Sequence, residues 1–358
     1  MFKIILIIAI LSLPGLGFCL SIQVNSSISR AAESGVHLDI HLDGLTNISE
    51  LKLYRTHSIS VFLIPTLDPE AILYPIFRKK LKPTEIQNGW SDQYLADGTT
   101  YYYFLQAKLT NGASVRSNFA VVTTKDKALE LGLGAAVLII DKENYIMQVS
   151  VKGKILKSYP VVFGGNPNRR KLEADHQSTP EGIYSLDGLR PEATYYRAMD
   201  LNYPNSSDRA RYAVLSKDRQ LGLIGGSIQI HGKKEFYSAK VDEVSANWTE
   251  GCIAMKNAAL DELFASNYLN SKLRIALFGG ELERETVLSL LERPQESEIL
   301  KASSVLVERA LLSQTRSQLD FEMKKALCRY QQKNHLEMTC ELDRKTKTTL
   351  LGWSLPVR

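Results

Sequence analysis

The sequence is poor in the features that would mark a membrane-embedded, nucleic-acid-binding or disulfide-built protein. Only four of its 358 residues are cysteine, too few for a disulfide framework to carry a fold of this size. Beyond the first 20 residues, no apolar run approaches the roughly 20 residues a membrane-spanning helix needs. A formal net charge of +5 is small for the length. It suits an anionic surface such as a cell wall, is far from a nucleic-acid footprint, and no nucleic-acid-binding motif accompanies it. Internal repeats and low-complexity segments are absent. His37 and His41 share one face of an expected strand but lack a third ligand, so they read as solvated residues rather than a metal site. No metal or organic cofactor is implied.

What is present is the balance of a soluble globular protein, 44% hydrophobic and 23% charged, at a length that suggests two or three domains. Residues 1–19 have the layout of a secretory signal peptide. Lys3 precedes the apolar run 4–13, Pro14-Gly15 breaks it, and Gly17 and Cys19 occupy the small-residue positions before cleavage after Cys19. The alternative is a lipoprotein acylated at Cys19, which the bulky Phe18 opposes. Either way the protein is expected outside the cytoplasm, in the periplasm or cell envelope. In that oxidising setting Cys252, Cys328 and Cys340 form an odd set. Cys328 and Cys340, 12 positions apart, are the expected disulfide. Cys252 is then a free thiol, for which catalysis is a reason.

The fold is expected to be mainly β. Residues 22–125 read as a β-sandwich: residues 36–42 and 50–55 alternate with period two, and Asp97-Gly98 and Asn111-Gly112 mark turns between further strands. A mostly-β middle domain, 126–281, opens with three strand candidates at 135–141, 145–151 and 155–163. A Gly- and Asn-rich loop, 164–178, and Thr179-Pro180-Glu181-Gly182 follow. The first secure helix is expected at Asn257, acting as cap, with Leu260, Leu263 and Phe264 on one face. Residues 282–358 read as helical, with helices near 298–313 and 320–334.

Two motifs of the middle domain carry chemistry. Ile228-Gln229-Ile230-His231-Gly232 is a strand ending in histidine and glycine; Trp248-Thr249-Glu250-Gly251-Cys252-Ile253-Ala254-Met255 is a turn entering an apolar strand or helix start, with Cys252 21 positions from His231. A thiol attacks a carbonyl as thiolate, and a free pKa of about 8.5 leaves little of it at neutral pH. A neighbouring imidazole can take the proton, giving a thiolate–imidazolium pair. Glycine before the nucleophile frees the backbone so that the Gly251 and Cys252 N–H groups can face a developing oxyanion. Taken singly, Cys252 reads as a buried hydrophobe and His231 as a satisfied strand residue. Together, in an exported chain, they read as nucleophile and base.

This pattern resembles the L,D-transpeptidases with a YkuD-type catalytic domain. The likeness covers residues 133–279 and extends to Phe163-Gly164-Gly165-Asn166-Pro167, Lys171, Thr179-Pro180-Glu181-Gly182-Ile183-Tyr184 and residues 201–208, where it is similar to the YafK-like subgroup of murein L,D-transpeptidases and amidases. The resemblance implies that a peptidoglycan stem peptide acylates Cys252 with His231 as base. It also implies that the Gly232 carbonyl orients His231, that Gly251 and Cys252 donate to the oxyanion, and that Thr249 lines the site. Many members carry a basic residue where Glu250 stands and arginine where Ala254 stands, which leaves the acceptor open. His176, near a position where the family has Asp, reads as a surface residue. Residues 90–122 resemble a fibronectin type III domain, and residues 322–351 the later half of a peptidoglycan-binding domain, with Cys340 in place of a glycine; a plain helical cap is the alternative there. The acyl-enzyme could pass to an amine of another stem peptide or of a wall-linked lipoprotein, making the chain a transpeptidase. It could instead pass to water, making it an L,D-carboxypeptidase or amidase. A non-catalytic wall-binding adaptor is the third reading, opposed by the intact His231 and Cys252.

Overall fold

The computed structural model of the chain describes residues 19–25, 35–58, 74–86, 89–233 and 244–352, apart from positions 44, 46 and 118. The expected signal peptide lies, through residue 18, outside the described residues.

The first eight strands are β1 (Cys19–Asn25), β2 (Val36–Asp43), β3 (Ile48–Thr56), β4 (Ile76–Leu81), β5 (Trp90–Asp92), β6 (Thr100–Leu109), β7 (Ser114–Arg116) and β8 (Ala120–Thr123). They make two antiparallel sheets, one ordered β1-β2-β5, the other β4-β3-β6-β7 with β8 also on β6. Strict alternation is the reason: Val36, Leu38 and Ile40 of β2 point into a core shared with Leu51, Leu53, Tyr101, Tyr103 and Leu105 of the other sheet. His37 donates to or accepts from Ser91 across the sheet at 3.0 Å. The guanidinium of Arg55, buried where this unit meets the next, bonds Asp92 Oδ2 at 2.6 Å and the carbonyl of Asn144 at 3.1 Å. A buried charge needs such pairing.

The middle domain is a closed eight-stranded barrel. Its strands are β9 (Ala136–Asp141), β10 (Ile146–Val151), β11 (Lys154–Val162), β12 (Gly182–Ala193), β13 (Tyr196–Leu201), β14 (Gln229–His231), β15 (Ile253–Met255) and β16 (Arg274–Phe278). The order around it is β10-β11-β15-β14-β13-β12-β16-β9. Neighbours are antiparallel except β14 with β15 and β16 with β9. Leu138, Met147, Val161, Met199, Ile230, Ile253 and Ile275 fill the interior. The three opening strands stand within a residue or two of their expected places.

Helices are α1 (Ser206–Leu215), α2 (Asn257–Phe264), α3 (Arg284–Ser289), α4 (Glu296–Glu308), α5 (Phe321–Lys333) and α6 (Arg344–Leu351). Two of them correct the expectation that the first helix starts at Asn257 as cap. α1 comes earlier, held by a capping box in which Asn205 accepts from Ser207 and Asp208 while Asp208 reaches back. Its inward face includes Ser207, Asp208 and Arg211, so apolar periodicity does not announce it. In α2 the cap residue is Lys256, and Asn257 instead uses its side-chain amide on the backbone of Lys233, accepting its N–H at 2.9 Å and donating to its carbonyl at 2.8 Å.

The C-terminal helices share a core of Ile299, Leu306, Met323, Leu327, Tyr330 and Leu350. Cys328 and Cys340 are joined, their Cα atoms 4.3 Å apart, and pack on Ala210 and Val214 of α1. Arg170 of the barrel donates to the Met338 carbonyl at 2.7 Å, so this segment is docked on the barrel. Among the described residues no helix is long and apolar enough to cross a membrane.

Candidate active site

The parallel pairing of β14 with β15 fixes which side chains can meet. Ile230 pairs with Ile253 and His231 with Ala254. Both isoleucines are fully buried in the barrel interior. His231 and Ala254 therefore face outward, and Cys252, two residues before Ala254, lies on that same side.

Three backbone segments converge at Cys252. Thr249 donates its N–H to the Phe163 carbonyl at 3.3 Å, and Gly165 donates to the Thr249 carbonyl at 3.2 Å. Asn247 accepts the Phe163 N–H at 3.1 Å. The Thr249 hydroxyl donates to the Cys252 carbonyl at 2.7 Å and accepts the Gly251 N–H at 3.2 Å, closing the turn. Gly251 has φ +122°, and a Cβ on it would stand 2.6 Å from the Ser178 carbonyl oxygen. A Cβ on Gly164 would stand 2.0 Å from the Gln177 oxygen. Only glycine permits this approach.

His231 is 3% exposed. Its Nδ1 bonds the Gly232 carbonyl at 2.8 Å; a carbonyl only accepts, so Nδ1 carries the proton and Nε2 of the neutral ring holds a lone pair. Tyr195 and Trp248 pack on the imidazole with ring centroids at 5.1 and 5.4 Å. Gly232 must be glycine, because a Cβ would fall 2.2 Å from Asn257 Oδ1, the atom that pins the strand exit. Burial pulls the His231 pKa below its ordinary value, outweighing the Gly232 bond.

Cys252 is half-buried and carries a free thiol. Its thiol points at the Ser227 carbonyl, Sγ to oxygen 3.7 Å. Burial pushes its pKa up, more than the Gln229 N–H and the Lys171 charge pull it down. Burial thus works against the charged form of both groups. The expected thiolate–imidazolium pair would have to form against this burial, and the thiol's hydrogen-bond partner is the Ser227 carbonyl. The Gly251 N–H, expected at the oxyanion, is already engaged by Thr249.

His176 stands apart, half-exposed, its Nε2 3.5 Å from Glu173. The sequence motifs give no part in the site's chemistry to Lys171, Tyr195 or Trp248, and give Asn257 only that of a helix cap. Lys171 is 4% exposed, and its ammonium lies 3.4 Å from where a Gly251 Cβ would be. Among the described residues no group of three or more His, Cys, Asp or Glu could hold a metal ion.

Residues 135–275 match the family model of the YkuD L,D-transpeptidase catalytic domain. The chain is 32% identical over 140 residues to YafK of Escherichia coli (strain K12), a protein provisionally named an L,D-transpeptidase, across 37% of this chain and 47% of that one. The protein of the same name in Escherichia coli O157:H7 matches to the same extent. The chain therefore spans about half the length of the curated relatives it matches. Among solved structures it is similar to the catalytic domain of the E. faecium L,D-transpeptidase, at 14% identity, 41% of this chain, 98% of that chain and a TM-score of 0.27. It is also similar to Mycobacterium tuberculosis L,D-transpeptidase 1, at 12% identity, 54% and 75% coverage and a TM-score of 0.24.

Proposed function

We propose, from the match of residues 135–275 to the family model of the YkuD L,D-transpeptidase catalytic domain, that this chain is an exported cysteine-dependent L,D-transpeptidase acting on peptidoglycan stem peptides. The observation that carries the reading is the placement of His231 at the end of β14 and of Cys252 immediately before its parallel neighbour β15, with Nδ1 of His231 committed to Gly232 and Nε2 left as the base.

Catalysis starts from a neutral thiol and a neutral imidazole. The Cys252 side chain swings from the Ser227 carbonyl toward Nε2, which takes the thiol proton as Sγ attacks the stem-peptide carbonyl. The tetrahedral adduct collapses to a thioester, and the departing amine takes the proton back from His231. An acceptor amine, from a second stem peptide or a wall-linked lipoprotein, then gives its proton to Nε2 and displaces Sγ. Tyr195 and Trp248 keep water from the imidazole face, which favours an amine over water in this second step.

Incubation of the full chain with muropeptides bearing tetrapeptide stems, followed by mass analysis, tests the proposal. New cross-linked species are expected. Shortened or released peptides alone would assign the acyl-enzyme to hydrolysis, and an unchanged mixture would leave the adaptor reading in its place.

A further inference from the structure

The site holds a cation that the mechanism above does not use. Lys171 is fixed at both ends of its peptide: its N–H donates to the Thr179 carbonyl at 3.2 Å, and its carbonyl accepts from Arg211 at 3.1 Å. The buried ammonium has one hydrogen-bond partner among the described contacts, the Ala174 carbonyl at 3.3 Å. No carboxylate lies within ion-pair distance of it among the described residues. An ammonium carries three donors, so two are left over in a place where water is scarce. They face Gly251: the nitrogen sits 3.4 Å from the position of its missing Cβ, one residue before the nucleophile. The backbone donor that would normally be looked for there, the Gly251 N–H, is occupied by Thr249 Oγ1.

We propose that Lys171 is a catalytic residue whose ammonium donates to the carbonyl oxygen of the scissile bond as Cys252 attacks it. This rests on the acyl-enzyme reading above. As the Sγ–C bond forms, the carbonyl π pair moves to oxygen, and the thiol proton goes to Nε2 of His231. The negative charge created on oxygen meets the Lys171 ammonium, which keeps its own proton throughout. When the pair returns to re-form C=O, the C–N bond breaks and the amine leaves with the proton from His231. Burial lowers the Lys171 pKa, opposed by the charges of Cys252, Asp175 and Glu250, and burial raises that of Cys252, opposed by the Gln229 N–H and the Lys171 cation, so the two groups lie within each other's field. A cation held in a partly dry site needs no reorganisation at the moment charge appears, which is what makes such a donor effective.

The test compares K171M and K171R with the wild-type full chain in two assays, muropeptide turnover and the pH profile of Cys252 alkylation by iodoacetamide. Loss of one oxyanion donor predicts that K171M loses about 10²–10³-fold in kcat with KM within a few-fold. Its alkylation midpoint moves to higher pH because the thiolate has lost its cation, and K171R recovers part of both. A kcat within about threefold of wild type, or a loss carried by KM alone as for a substrate-carboxylate anchor, would overturn the proposal. So would an alkylation midpoint that does not move. If K171M does not fold, K171Q, which can still donate to the Ala174 carbonyl, takes its place. The alkylation arm needs no turnover. If the wild type alkylates normally but produces neither cross-links nor shortened peptides, the functional reading fails, while the midpoint still decides whether Lys171 supports the thiolate.

Discussion

Replacing Thr249 with valine keeps its volume and removes the one hydroxyl that ties the nucleophile turn together. That oxygen makes two bonds in a residue only 5% exposed, accepting from the Gly251 N–H and donating to the Cys252 carbonyl. Each bond is worth roughly 0.5–1.5 kcal/mol net, and a buried group left without a partner costs about 1–3 kcal/mol. With two backbone groups orphaned together, a loss of about 2–4 kcal/mol is expected. For a domain of this size that corresponds to a fall in Tm of about 5–15 °C. Thr249→Ser keeps the oxygen and serves as the control. Thermal melts read stability, and the rate of carbapenem acylation reads the turn itself, which should slow in Thr249→Val as Cys252 loses its anchored carbonyl. A Thr249→Val protein melting within about 2 °C of wild type, or a Thr249→Ser protein falling as far as the valine variant, would refute the role given to the hydroxyl.

Three further outcomes follow from the same geometry. Because burial lowers the His231 pKa and the base must be neutral to accept a proton, activity should rise with pH on a limb below about 6.5. His231→Ala should lose about 10²–10⁴-fold and follow thiolate formation at high pH instead, and an unchanged profile would remove His231 from the chemistry. Gly251→Ala places a side chain at φ +122°, 2.6 Å from the Ser178 oxygen, and should abolish acylation while circular dichroism of the remaining domains is kept; a fully active variant would contradict the crowding at that turn. Joint replacement of Cys328 and Cys340 by serine should cost roughly 2–3 kcal/mol in a short closed loop and loosen the helical segment from α1, measured by denaturant titration.

The parts of this molecule legible in the sequence are those written in local pattern. The alternation of β2, the apolar runs of β9 to β11 and the cysteine left over from the Cys328–Cys340 pair needed no tertiary information. The motifs around His231 and Cys252 stand out because histidine and a free thiol together in one chain offer a base and a nucleophile. α1 was missed because its inward face is polar: Ser207 bonds Lys324 at 2.8 Å and Asp208 accepts from Tyr184 at 3.0 Å, so partners outside the helix replace an apolar stripe. The capping box of Asn205 and Asp208 was the signal available. Lys171 could be read as part of a resemblance but not as a neighbour of the thiol, because the long loop 164–178 folds back on Thr179 to bring it there. Tyr195 and Trp248 meet His231 through strand pairing that no spacing reveals. The electrostatics of the pair are hidden from the sequence for a related reason. Spacing placed the thiol beside the imidazole, but how deeply each is buried, and which carbonyl the thiol faces, are properties of the folded site.

The central claim is that Cys252 becomes covalently acylated with help from His231, and intact-mass measurement after incubation with a carbapenem tests it most directly. The wild-type chain should gain one adduct, mapped by peptide digestion to Cys252. The Cys252→Ala protein should remain folded and gain none, while His231→Ala should acylate far more slowly at neutral pH. An adduct retained in Cys252→Ala, or a wild-type chain that is never acylated, would contradict it.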